Sequence, residues 1–254
     1  MTAVLQVDGL TKHFAKDDTA VVALRDFSLD IAEGSFVTVL GRSGCGKSTM
    51  LNLLAGLAEP TTGTVRYRDH PLTGPHTEIG YLTQSDTLMP WRDVQRNVEM
   101  PLEISGIAAK ERRARAAELI RRVGLAGFEK HYPRELSGGM RRRASLARML
   151  AGTPSTLLMD EPFGALDAQL RTELQAELLR LWQGSGQTVV FVTHDIEEAL
   201  LLGDRVVVLG RIGRIVLDRA IELPRPREID ELRVDPAFVG MHGELARALK
   251  GEAP

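Results

Sequence analysis

The sequence predicts an α/β fold, a core of apolar strands and amphipathic helices interrupted by a helical insertion. Short β-branched runs recur as SFVTVL (35–40), STLLMD (155–160), QTVVFVTH (187–194) and DRVVVLG (204–210), each stopped by glycine, an acid or histidine. Helical stretches alternate with them, as expected where helices cover a sheet. From about Gln84 to Leu136 the strand signals fade, Pro90 and Pro101 punctuate the chain, and AAKERRARAAELIRRV (108–123) is strongly helical.

The elements follow in order. AVLQV (3–7) is short and apolar, LRDFSLDI (24–31) alternates, and SFVTVL is a strand ended by Gly41. KSTMLNLLA (47–55) reads as a helix with Gly56 near its end, and TGTVRYRD (62–69) as a strand punctuated by Pro60 and Gly63. In DAQLRTELQAELLRLW (167–182), leucines 170, 174, 178 and 181 form one face that packs on a sheet. After Ile221, LPRPR breaks the core, and PAFVGMHGELARALK (236–250) reads as a terminal helix. LMPW (88–91) forms an apolar group at the start of the insertion, either insertion core or a groove for a helix of a partner.

Composition narrows the function classes. The 254 residues are 43% hydrophobic and 26% charged with net charge -2, so the surface as a whole is not built to attract nucleic acid or anionic lipid. No apolar run approaches a membrane span, and MTAVLQVDG lacks a signal-peptide layout. The single cysteine, Cys45, excludes an intrachain disulfide and fits a reducing compartment. These features together predict a cytoplasmic protein. ERRARAAELIRR reads as a solvated helix face with intrahelical pairs, and Arg141 to Arg143 as mostly surface, with Arg141 able to stabilise the loop beside it.

GRSGCGKST (41–49) matches G-x-x-x-x-G-K-[ST] and lies between a strand and a helix, the context of a phosphate-binding loop. Gly41, Gly44 and Gly46 permit a tight turn whose N–H groups converge on phosphate at the positive end of the helix, with Ser43, Cys45 and Thr49 completing the cradle. Lys47 supplies a point charge to the β- and γ-phosphates, and the Ser48 hydroxyl is a ligand for Mg²⁺. Cys45 reads as a small space-filler whose helix-terminal position would lower its thiol pKa. STLLMD places Asp160 at a strand tip, the metal-holding position, and Glu161 follows as a candidate base for an attacking water. His194 ends another apolar strand, and Gln84, in GYLTQSD, ends a further apolar stretch. In ELSGGMRRR (135–143), Ser137 with Gly138 and Gly139 is either an N-cap beside a turn or a backbone that must approach a ligand closely.

GRSGCGKST, Gln84, LSGGM, LLMDEP, GALD and THD occur in the order found in ATP-binding cassette (ABC) ATPases, and the chain resembles that family from about residue 4 to about residue 219. GRSGCGKSTMLNLLAGL, LMPW, LSGGM, DEPFGALD and the LPRPR tail resemble the nucleotide-binding subunit of nitrate, sulfonate and taurine importers. The resemblance implies a P-loop NTPase (RecA-like) core with an antiparallel β subdomain and an inserted α-helical subdomain. It places the first portion of the core, with the phosphate loop and β subdomain, at residues 1–85 and the helical subdomain at 86–150. The second portion of the core follows at 151–220 and a C-terminal extension at 221–254. It implies that Phe14 stacks on adenine, where the sequence alone equally allows a buried strand-end ring. It further implies ATP and Mg²⁺ as ligands, metal contacts from Ser48, Gln84 and Asp160, and Glu161 as general base. His194 would contact the γ-phosphate and Asp167 would lie between two cassettes. Ser137 and Gly139 would complete the site of a second, head-to-tail copy. The partners implied are that copy, membrane permease subunits and, indirectly, an extracytoplasmic solute-binding protein, with no nucleic acid, at the cytoplasmic face of the cell membrane. The alternatives are an ABC ATPase of another transporter type and a soluble DNA-repair-type ABC ATPase, the latter disfavoured by closely spaced motifs without long coiled coils.

Overall fold

A computed structural model describes residues 2–16, 19–164, 166–227 and 229–251. In chain order it contains β1 (Ala3–Lys16), β2 (Thr19–Ala32), β3 (Phe36–Gly41), α1 (Lys47–Leu54), β4 (Thr62–Tyr67), β5 (His70–Pro71) and β6 (Ile79–Leu82). Then come α2 (Val94–Ile104), α3 (Ala109–Arg122), α4 (Gly138–Ala151), β7 (Thr156–Asp160) and α5 (Ala168–Trp182). The remainder is β8 (Thr188–Thr193), α6 (Ile196–Leu202), β9 (Arg205–Leu209), β10 (Ile215–Ala220), α7 (Ile229–Leu232) and α8 (Pro236–Gly251). Contacts divide the chain into two units, one of 1–76, 158–160 and 187–254, the other of 77–157 and 161–186.

The first unit carries two sheets. One is antiparallel in the order β2-β1-β4-β5. Its strands alternate, and the buried set Leu5, Val7, Leu10, Leu24, Phe27, Leu29 and Ile31 forms its apolar face. The other has the order β10-β9-β3-β8-β7. Here β3 lies parallel to both β8 and β9, and β10 runs antiparallel on β9. Every residue of β3 and β8 is buried, which explains why these strands read as continuous apolar runs rather than alternations. Thr38, the polar residue in β3, is satisfied: its hydroxyl lies 3.2 Å from the Ala199 carbonyl and 3.3 Å from that of Arg205.

The LPRPR segment does more than end the core. Arg227 is buried and its guanidinium donates to the carbonyls of Leu200 (2.8 Å), Gly203 (2.6 Å) and Leu223 (2.9 Å). Arg225 donates to Leu202 O at 2.6 Å and to Asp204 Oδ1 at 2.7 Å. Two cations therefore occupy the negative end of α6 and satisfy carbonyls that the helix leaves without partners. Burial, with the neighbouring Arg225 charge, pushes Arg227 down to about 10. Arg227→Met is expected to destabilise the protein by about 2–3 kcal/mol, because several buried carbonyls lose a charged donor at once. The measurement is the urea midpoint at unchanged slope; a midpoint equal to wild type would show the clamp to be energetically idle.

The second unit is mainly helical. Val94, Val98 and Leu102 of α2 are buried, as are Ala116 and Ile120 of α3 and Ala144, Ala147 and Leu150 of α4. The outer face of α3 carries Arg121 paired with Glu118 at 2.6 Å, an exposed pair contributing little stability. Thr156 at the start of β7 donates its N–H to Glu78 O at 3.0 Å, just before β6. The arginine run departs from the sequence expectation at one position: Arg142 is only 5% exposed.

Candidate active site

The first unit supplies the phosphate loop. β3 ends at Gly41, and the chain turns through Gly44 (φ 80°) and Gly46 (φ 111°) into α1. At Gly46 a Cβ would come within 2.6 Å of the Ala23 carbonyl, so no side chain fits, whereas at Gly44 only the backbone angle demands glycine. The N-cap of α1 is Gly46 and it offers no side-chain acceptor. By contrast, α2, α4, α5 and α6 are each capped by a side-chain oxygen, from Asp93, Ser137, Asp167 and Asp195. The first turn of α1 thus has no side-chain cap at the positive end of the helix, where an anion is favoured.

Lys47 is buried, and its ammonium donates to Gly41 O at 2.7 Å and Arg42 O at 3.0 Å, spanning the mouth of the loop. Ser48 is exposed on the first turn of α1. Cys45 is buried, and the position of its sulfur, 2.7 Å from where a Gly41 Cβ would stand, shows tight packing inside the loop. Its carbonyl accepts from Gly213 N at 2.7 Å. Ser43 is exposed and Thr49 half-buried. A cavity of about 420 Å³ adjoins the loop, lined by Arg42 to Cys45, Leu209 to Ile212 and Leu249 of α8. Lys47 and Ser48 are not among its lining residues.

Register brings His194 into place. Leu40 pairs with Thr193 in the parallel β3–β8 ladder, so His194 leaves β8 level with Gly41, where the phosphate loop begins. Its side chain is exposed, while the turn after it is held by Asp195, which caps α6, and by a hydrogen bond from Thr193 to Glu198. Asp160 ends β7, the next strand in the sheet order, and is 2% exposed. Among the described residues, no three His, Cys, Asp or Glu side chains cluster as a metal cage. A magnesium ion that travels with phosphate needs only one or two protein oxygens, so Ser48 and Asp160 fit that requirement. Phe14, in β1, is 46% exposed with Lys12 Nζ 5.2 Å from its ring centroid, which makes it a surface ring rather than a buried one.

The second unit carries the remaining candidates. Gln84 follows β6 and its side chain is exposed. Glu161 is half-buried and has φ 46°, a left-handed conformation that a non-glycine residue adopts at a cost of about 1–3 kcal/mol. Such strain persists where surrounding structure fixes it, and it clusters at active sites. Ser137 caps α4, accepting from Met140 N at 3.2 Å, and the amides of Gly138 and Gly139 at the first turn have no helical acceptor. A Cβ on Gly139 would lie 3.1 Å from Leu166 Cδ2, so this turn packs against the GALD loop. Asp167 caps α5 through Leu170 N at 3.0 Å and is exposed.

Two residues take places that the sequence reading did not give them. Asn97 is fully buried and organises the LMPW turn: its amide donates to the carbonyls of Met89, Arg92 and Asp93, and its oxygen accepts from Met89 N at 2.7 Å. Leu88 is thereby buried while Trp91 is 71% exposed. The other is Arg142, which donates to Pro162 O at 2.9 Å, to Gln84 O at 3.2 Å and to Thr83 O. Both lie on the apolar face of a helix, Asn97 three residues after Val94 and Arg142 four before Leu146, and that periodicity was the available signal.

The chain is similar to known proteins over most of its length. The family described as ABC transporter matches residues 24–164. An uncharacterized ABC transporter ATP-binding protein of Methanocaldococcus jannaschii is 47% identical over 253 residues, covering 99% of this chain and 93% of that one. The taurine import ATP-binding protein TauB of Yersinia pestis is 44% identical over 228 residues, covering 88% and 89%. Among solved structures, a dimeric ATP-binding cassette in a post-hydrolysis state with ADP and phosphate is 33% identical, with a TM-score of 0.81, and is covered in full by 87% of this chain.

Proposed function

Because the chain belongs to the ABC transporter family of ATP-binding proteins, we propose that it is the ATP-hydrolysing subunit of an importer for taurine or a related small sulfonate. The single observation that carries the hydrolytic reading is the phosphate loop with its uncapped helix, level with His194 through the β3–β8 register. The cargo class rests on the similarity to taurine import proteins.

In this reading the loop amides and Lys47 bind the β- and γ-phosphates of ATP, and the exposed Phe14 ring stacks on adenine. Ser48, Asp160 and Gln84 would hold Mg²⁺, which when bound neutralises charge on the phosphates. Glu161 accepts the proton of the attacking water, and His194 donates a hydrogen bond to the γ-phosphate. The free amides of Gly138 and Gly139, with Ser137, close the site of a second copy arranged head to tail, and Asp167 lies at that junction. A dimeric cassette among the similar structures supports this pairing. Dimer closure on ATP and opening after hydrolysis is the motion that drives transport.

No helix among the described residues is long and apolar enough to cross a membrane. In this reading the chain acts at the cytoplasmic face of the membrane through permease subunits. The exposed Trp91 beside a cavity of about 820 Å³, lined also by Arg96, Glu99, Glu103 and Lys130, suits the docking of a short permease helix. Trp91→Ala is expected to leave basal ATPase activity within about twofold but to weaken permease assembly by about 2 kcal/mol, roughly 30-fold. Copurification with the permease measures this, and undiminished recovery would remove Trp91 from the interface. The function as a whole is tested by reconstituting the subunit with its permease and binding protein: ATPase activity rises with taurine-class cargo, and indifference to every sulfonate would refute the cargo class.

A further inference from the structure

We propose that Arg142 is a positioning residue for hydrolysis: one buried guanidinium fixes the backbone at Gln84 and the backbone just after Glu161, and joins both to α4. The proposal rests on the roles given above to Gln84 and Glu161.

The two segments it holds have no regular structure of their own. Residues 83–93 run between β6 and α2 with neither ladder nor helix, and 161–164 form turns. Their carbonyls need partners from elsewhere. Arg142 Nε reaches Pro162 O at 2.9 Å, while Nη1 reaches Gln84 O at 3.2 Å and Thr83 O as well. A planar fork with several fixed donors spans carbonyls from two separate segments at once, whereas an ammonium gathers its donors at a single point. The bond to Pro162 falls one residue after Glu161, whose left-handed backbone needs neighbouring structure to persist. At Gln84 the backbone is tied while the side chain stays exposed, leaving that side chain able to turn toward a ligand.

A buried guanidinium is costly where an apolar side chain would fill the space, and at this junction its donors go to the carbonyls of the two segments. Arg141, next to it, ties the same loop to the start of α4 by pairing with Asp86 at 2.8 Å and donating to Leu136 O at 2.8 Å. The loop carrying Gln84 and the turn carrying Ser137 are thus referenced to one helix.

The test compares Arg142→Met and Arg142→Lys with wild type by amide hydrogen exchange without nucleotide, and by steady-state kinetics against ATP and Mg²⁺. Exchange is expected to rise in peptides covering 82–88 and 161–167 and to stay at wild-type levels across 41–55. Turnover should fall at least tenfold in Arg142→Met, the half-saturating ATP concentration should move less than threefold, and the half-saturating Mg²⁺ concentration should rise. Arg142→Lys, with one donor point, should fall between, and it carries the test if the methionine variant does not fold. Unchanged exchange in both peptides would overturn the proposal, as would raised exchange with wild-type turnover and Mg²⁺ dependence. A uniform rise in exchange over the whole chain, with ATP affinity lost in parallel, would reduce Arg142 to a stabilising core residue and equally overturn it. Failure of the Glu161 assignment itself would appear separately, as persistent turnover in a Glu161→Gln variant.

Discussion

Glu161→Gln is expected to lower ATP turnover by about 10²- to 10⁴-fold, the range for removing a positioned general base, with ATP binding changed less than threefold. The two side chains are nearly isosteric, so the left-handed backbone at φ 46° and the hydrogen bond from Gly164 N to Glu161 O at 3.3 Å should survive. What is lost is the capacity to take a proton. Lys47 and the uncapped start of α1 lie in the other compact unit and keep their own support. Single-turnover phosphate release and equilibrium ATP titration separate the two effects. Turnover within threefold of wild type would place the base elsewhere.

Lys47→Ala is expected to abolish nucleotide binding in the working range, weakening ATP affinity by about 100-fold or more, since a charge-assisted contact to phosphate would be lost. The substitution also removes the donors that span Gly41 O and Arg42 O, so the loop loses some of its internal bracing. Lys47→Arg should not rescue it, because a planar fork does not replace a compact ammonium within a buried cradle. Titration with a fluorescent ATP analogue measures the loss, and far-UV circular dichroism confirms that the variant is folded. Affinity within threefold of wild type would refute the assignment of Lys47 to phosphate.

The core strands and the phosphate loop were legible because each combines local signals: a β-branched run, a glycine turn and a helix start in immediate succession. Longer periodic helices, α3 and α5, were legible for the same reason. Short elements were not. β6 has four residues and α6 seven, too few for a period to emerge, and β10 carries mixed exposure rather than an apolar run. Residues 161–186 group by contact with the helical unit. The buried arginines were hidden for a physical reason. A guanidinium is buried when distant carbonyls converge on it, and neither RRR at 141–143 nor LPRPR discloses which carbonyls those are. Leu88 is buried and Trp91 exposed around a turn that the buried Asn97 side chain closes from eight residues beyond Met89.

In ELSGGMRRR the local description as an N-cap beside a turn holds, with Ser137 capping α4. The claim that its open amides serve another chain's ATP is tested most directly by the mass of the Glu161→Gln protein with and without ATP and Mg²⁺, measured by light scattering after size exclusion. The account predicts a single-chain mass without nucleotide and twice that mass with ATP, reverting to single chains when Ser137→Arg is added. A Glu161→Gln protein that stays at the single-chain mass in saturating ATP would contradict it.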